Sequence, residues 1–148
     1  MSVFQLLMLG ASAYFAFKIY EHIQTLQEPS MGDTKRVKLS DDEIEELIND
    51  GDEARQRGDL DRALAIYSEA KANQPKNAEI LFKMGYTMSE LERYDEALEY
   101  FENSLEYDDK NPFAYLEISK IYKKLGDDEK AEVYHKKGVE IDEDIKDL

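Results

Sequence analysis

The chain has 148 residues, enough for one domain of ordinary size, and 36% of them are charged. It contains no cysteine, which excludes disulfides, thiolate metal sites and a cysteine nucleophile and leaves the redox compartment open. A formal net charge of −15 argues against nucleic acid as a partner, because phosphate contacts need clustered Lys and Arg; the acid excess reads as a solubility device.

Residues 3–17 are almost purely apolar, and the run to Tyr20 gives 18 residues. As a helix it would measure roughly 27 Å, close to the hydrocarbon thickness of a bilayer. Gln5 and Lys18 lie near its ends, where side chains snorkel, and Tyr14 and Tyr20 suit an aromatic belt. The expectation is an uncleaved amino-terminal transmembrane anchor over 1–27. A cleaved signal peptide is the rival reading. Ala11-Ser12-Ala13 resembles a cleavage box, yet no Lys or Arg precedes the run and Tyr14 to Phe17 continue it. Lys18, Lys35, Arg36 and Lys38 follow the segment, so the positive-inside rule puts the amino terminus outside and the remainder of the chain in the cytoplasm. Gly10, Ser12, Ala13 and Ala16 offer a small-residue face for helix packing in the membrane.

Residues 28–40 contain Pro29, Ser30 and Gly32 among mixed charges and read as a linker. Ser40-Asp41-Asp42-Glu43 is a capping box that starts the first cytoplasmic helix. Arg57-Gly58-Asp59 makes a turn, Asn77 and Asp127 are N-caps, and Asn111-Pro112 is an N-cap followed by proline at the first helical position. Six helices follow, over about 41–57, 60–73, 78–91, 94–107, 112–125 and 128–142. The apolar residues are periodic, so this is a helical array and not a disordered acidic chain.

Ala63, Ala97 and Ala131 sit 34 residues apart inside similar segments. In the first helix of each unit, Leu47, Leu81 and Tyr115 correspond, followed by the small residues Gly51, Gly85 and Ser119, then Ala54, Met88 and Tyr122. In the second helix Tyr67, Phe101 and His135 follow each alanine by one turn, and Ala70, Ser104 and Gly138 are again small. Pro75 closes the first unit. A period of 34 with small and large positions recurring together resembles the tetratricopeptide-repeat (TPR) family. Repeats over 44–77, 78–111 and 112–145 then make up a TPR domain over 41–148. The resemblance implies an all-α fold, a right-handed α-solenoid of three helix hairpins. The pattern departs from the family where no proline closes the second and third repeats, where His135 replaces an aromatic, and where Glu92 stands in place of Gly58 and Gly126.

Catalysis needs convergent groups, and none is found: there is no glycine-rich phosphate loop, and His22 and His135 lie in different modules. Asp50-Gly51-Asp52 and Asp108-Asp109-Lys110-Asn111 lack the alternating oxygen ligands of a calcium loop. The expectation is a protein that is not an enzyme and takes no cofactor or metal.

The TPR resemblance implies instead a concave groove lined by the first helix of each repeat, where peptides or helices dock. Its positions fall on Glu45, Ile48, Asn49, Asp52, Arg55 and Gln56 in the first repeat. They fall on Glu79, Phe82, Lys83, Tyr86, Ser89 and Glu90 in the second, and on Phe113, Leu116, Glu117, Lys120, Lys123 and Lys124 in the third. Phe82, Tyr86, Phe113 and Leu116 are expected to form an apolar centre, with Lys83 beside it and Lys120, Lys123 and Lys124 as a basic end. The Lys and Asn clamp by which TPR proteins of the heat-shock chaperones hold a terminal carboxylate would fall on Ile48 and Asp52 in the first repeat, and is absent. Val133, Ile141, Ile145 and Leu148 are expected to leave apolar surface on the last helix for a partner or another copy of the chain. The sequence therefore reads as a membrane-anchored adaptor that binds a protein segment. The alternative is a structural accessory subunit or assembly factor of a membrane complex.

Overall fold

A computed structural model describes residues 38–148. The anchor expected over 1–27, and the expected linker over 28–40 as far as residue 37, lie outside the described residues. Six helices follow one another: α1 (Asp41–Gln56), α2 (Leu60–Asn73), α3 (Ala78–Glu90), α4 (Tyr94–Tyr107), α5 (Pro112–Lys124) and α6 (Asp128–Ile141), with a 3-10 turn at Glu143–Ile145. Among the described residues there is no strand, and no helix is long and apolar enough to cross a membrane. Each helix begins and ends within one residue of where the sequence places it.

The caps explain that agreement. Ser40 accepts from the Glu43 backbone N–H, while the Ser40 N–H donates to the Glu43 carboxylate at 2.8 Å, closing the capping box. That N–H, and next the Ser40 hydroxyl, hold the Glu43 carboxyl below its usual pKa. Asp59, Asn77, Asn111 and Asp127 accept from first-turn N–H groups of α2, α3, α5 and α6. Arg93, which precedes α4, makes no side-chain cap bond; its guanidinium pairs with Glu96 instead.

Helices pair as hairpins, α1 with α2, α3 with α4, α5 with α6, and each hairpin packs on the next through α2–α3 and α4–α5. One apolar cluster joins Ile44, Ile48, Ala63, Tyr67 and Ala70 to Ile80 and Met84 of α3. A second joins Leu64, Met88, Ala97 and Phe101 to Ile118 and Ile121 of α5. The small positions permit these approaches. A Cβ at Gly85 would lie 3.0 Å from the Phe101 ring and 3.2 Å from the Ala97 carbonyl. Ser104 donates to the Ala78 carbonyl at 2.8 Å and Ser119 to the Ala131 carbonyl at 2.6 Å, so the two serines use their smallness and satisfy their hydroxyls.

The first helix closes one end of the array. Glu46, Asp50 and Glu53 are exposed and stand 34 residues before Ile80, Met84 and Thr87, which are buried. Charge thus replaces the seam at which α3 and α5 meet the preceding hairpin, and no further repeat can pack there without burying three carboxylates.

The three hairpin turns need a left-handed residue. Gly58 and Gly126 adopt φ +81°, and Glu92 is forced to φ +59°. A non-glycine residue pays roughly 1 kcal/mol or more there. Glu92→Gly is therefore expected to stabilise the domain by about 1 kcal/mol, raising Tm by roughly 4 °C. Thermal unfolding followed by circular dichroism checks it; an unchanged or lower Tm would mean that Glu92 makes a compensating interaction.

Candidate functional site

Side chains from α1, α3 and α5 share one face of the array, and the structure holds many of them in pairs. Asp52 accepts from Lys83 at 2.6 Å and from the Tyr67 hydroxyl at 2.5 Å, tying α1, α2 and α3 together. Arg55 pairs with Glu90 at 3.4 Å, and its guanidinium lies 4.9 Å from the Tyr86 ring centroid. Both cations of the first two repeats on this face are thus engaged by carboxylates of the other repeat, and the exposed Glu45 adds to the acid excess there. Asp52, Arg55, Phe82, Lys83 and Tyr86 line a shallow cleft of ≈ 130 Å³.

Burial, and then the Asp52 carboxylate, push the Tyr67 phenol well above its usual pKa. The sign follows: a proton that the unfolded chain releases near pH 10 is retained when folded, so the domain loses stability as pH rises above about 10. Tyr67→Phe is expected to flatten that alkaline loss. Denaturation midpoints between pH 8 and 11 check it, and an equally steep loss in the variant would place its origin in other tyrosines.

The predicted apolar centre is only partly a surface. Phe82 is half-buried, its ring 5.5 Å from Phe101 and 6.3 Å from Tyr86, and it belongs as much to the core as to the face. Phe113 is 50% exposed. Leu116 corrects the expectation of an open apolar patch, being 3% exposed. Of the expected basic end, Lys120 pairs with Glu117 at 3.1 Å and Lys124 lies 5.5 Å from the Tyr94 ring centroid.

Leu116, Lys120 and Lys123 open onto a different feature. Together with Asp128, Glu132 and His135 of α6 they line a cleft of ≈ 320 Å³ at the end of the array, with Leu148 at its side. The basic end of the groove is thus one wall of a mixed-charge cleft. The α6 wall was not foreseen as a site. Its signal was available, since Glu132 and His135 occupy the register of Leu64/Leu98 and Tyr67/Phe101.

On the second predicted surface, Val133, Ile141 and Leu148 are exposed, but Ile145 is not. The turn at Glu143–Ile145 folds Ile145 back to 1% exposure, and its Cδ1 lies 2.7 Å from where a Cβ on Gly138 would be. Gly138 leaves the room that the isoleucine takes. At the clamp positions, Ile48 is buried and Asp52 is engaged with Lys83 and Tyr67. Among the described residues no three His, Asp or Glu side chains converge as a metal ion requires.

Known proteins bear on this geometry. Residues 78–111 and 114–145 each match a tetratricopeptide repeat family model. Over 71 residues, 48% of this chain and 14% of the relative, the chain is 37% identical to BBSome complex member BBS4 of Bos taurus, so it spans about one seventh of that protein. PcrH in complex with the chaperone binding region of PopD is similar with a TM-score of 0.69 and 22% identity, over 73% of this chain and 86% of that one. MamA is similar with a TM-score of 0.65 and 23% identity, over 68% of this chain and 59% of that one. At such identities these two structures bear on the fold alone. Three hairpins in a 34-residue register, two of them matched as repeats, make this chain a member of the tetratricopeptide-repeat family.

Proposed function

We propose that the chain is a membrane-tethered adaptor that holds a segment of another protein on its concave face, at the cytoplasmic surface of the membrane. The observation that carries this reading is the exposed Phe113, with the half-buried Tyr86 and Phe82, among the side chains that α1, α3 and α5 present. Aromatic side chains left partly in water offer a partner large apolar contact area at little entropic cost. Lys123 and Lys124 at the end of α5 would favour carboxylates on the bound segment. PcrH, similar in fold, was solved with a bound region of another protein, which supports the same use of this scaffold. Residues 1–27 would supply the anchor, and confinement beside a membrane partner raises effective concentration without any new contact.

Two measurements test the parts separately. The full chain is expected to sediment with membranes through alkaline extraction, while residues 38–148 stay in the supernatant; equal partitioning removes the tether. Cross-linking in the native membrane is expected to capture a partner that Phe113→Ser/Lys124→Glu loses. An unchanged partner set would favour the second reading, an accessory subunit of a membrane complex that contacts its neighbours through the exposed Val133, Ile141 and Leu148.

A further inference from the structure

Charge is spread unevenly over the array. Residues 39–111 carry 21 Asp and Glu against 8 Lys and Arg. Among the described residues α5 is the one helix whose bases outnumber its acids, with three lysines against Glu117. All three lysines fall in its last five residues. Lysines there suit the helix dipole, yet α3, α4 and α6 hold no basic residue in their last turns. Lys83 and Arg55 are met by carboxylates of a neighbouring helix, whereas Lys120 pairs with Glu117 of its own. The Lys120 side chain is 46% exposed and that of Glu117 only 16%, so the ammonium and not the carboxylate faces water. Phe113, Lys120 and Lys124 stand on one line of α5, because residues 7 and 11 apart return to within about 20° at 3.6 residues per turn. That line is roughly 16 Å long. A half-exposed aromatic ring marks its start and two ammonium groups its end.

We infer that the segment held on the concave face is an amphipathic helix of the partner, lying antiparallel along α5. Two carboxylates in its first turns meet Lys124 and Lys120, and an apolar side chain about three turns from its start covers Phe113. The inference rests on the concave-face reading above and adds the conformation, direction and chemistry of what is bound. A helix fits because it shares the rise of α5, so groups set at turn spacing on one meet groups at turn spacing on the other. An extended segment would cross the same 16 Å in roughly five residues and could not keep that register. The direction follows from the dipole of the bound helix, which favours carboxylates in its own first turn and so sets that turn against the basic end of α5. The register follows from repulsion, since sliding toward the first two hairpins brings the carboxylates against Glu79, Glu45 and the acid excess around them.

The test uses the full chain and two labelled synthetic peptides of one composition. The first has two glutamates one turn apart at its start and a phenylalanine about three turns on; the second has the reverse order. Fluorescence anisotropy is expected to show the first binding about tenfold more tightly, and circular dichroism to show it gaining helix as it binds. Lys120→Glu/Lys124→Glu should remove the difference between the peptides, and Phe113→Ser should weaken both. Equal affinities, tighter binding of the reversed peptide, or binding without gain of helix would overturn the inference. If Phe113→Ser still weakens binding in those cases, the concave-face reading stands without it. Binding of neither peptide would also overturn the inference, and cross-linking with Phe113→Ser/Lys124→Glu then decides the concave-face reading by itself. Self-association of the chain that Phe113→Ser abolishes would put a second copy on α5 and overturn the assignment to another protein.

Discussion

Phe101→Ala is expected to destabilise the domain by about 3–5 kcal/mol, a large share of the roughly 5–15 kcal/mol that a domain of this size has. Phe101 is fully buried, its ring packs 5.5 Å from Phe82, and it belongs to the cluster that joins the second hairpin to Ile118 and Ile121 of α5. Truncation removes the transfer free energy of the ring and leaves a cavity between two hairpins whose helices cannot close on it. His135→Ala, at the same position one repeat later, is expected to cost about 1 kcal/mol or less, because that side chain is half-buried on the open cleft and no further helix covers it. Urea denaturation of both variants checks the pair. Equal costs would mean that the end of the array is packed as tightly as its middle, and the cleft would then be closed in solution.

The same contrast marks what the sequence can say about this molecule. The 34-residue spacing placed Ala63, Ala97 and Ala131 at buried positions, and the caps placed the helix ends, because both signals are local and repeat. Pairings such as Lys83 with Asp52 join residues 31 positions apart on different helices and depend on which faces meet. Leu116 was legible as apolar but not as covered, since its burial depends on how α5 packs against its neighbours. The burial of Ile145 was not legible, because it depends on the 3-10 turn at Glu143–Ile145 that follows α6 and on the room left by Gly138. The second hairpin was the informative departure: Glu92 has no glycine's freedom, and the structure accommodates it at positive φ instead of altering the turn.

Gly51→Ala is expected to lower stability by about 2 kcal/mol, against the sign that helix propensity alone dictates. Gly51 lies inside α1, and alanine in a helix interior is favoured over glycine by about 1 kcal/mol. The added methyl, however, would overlap the ring of Tyr67. That ring has nowhere to go. It is fully buried among Ile48, Ala63 and Met84, and its hydroxyl is held by Asp52. Relief requires α2 to move away from α1, which loosens the first hairpin and the seat of α3 together. Two further variants separate the causes. Tyr67→Phe removes the tether but keeps the ring, so Gly51→Ala should remain costly on that background. Tyr67→Leu removes the overlap, and on it Gly51→Ala should become neutral or stabilising, a coupling of about 1–3 kcal/mol in the double-mutant cycle. A Gly51→Ala domain more stable than the parent would show that the two helices can part at little cost, and that the glycines at 51 and 85 serve chain entropy more than close approach.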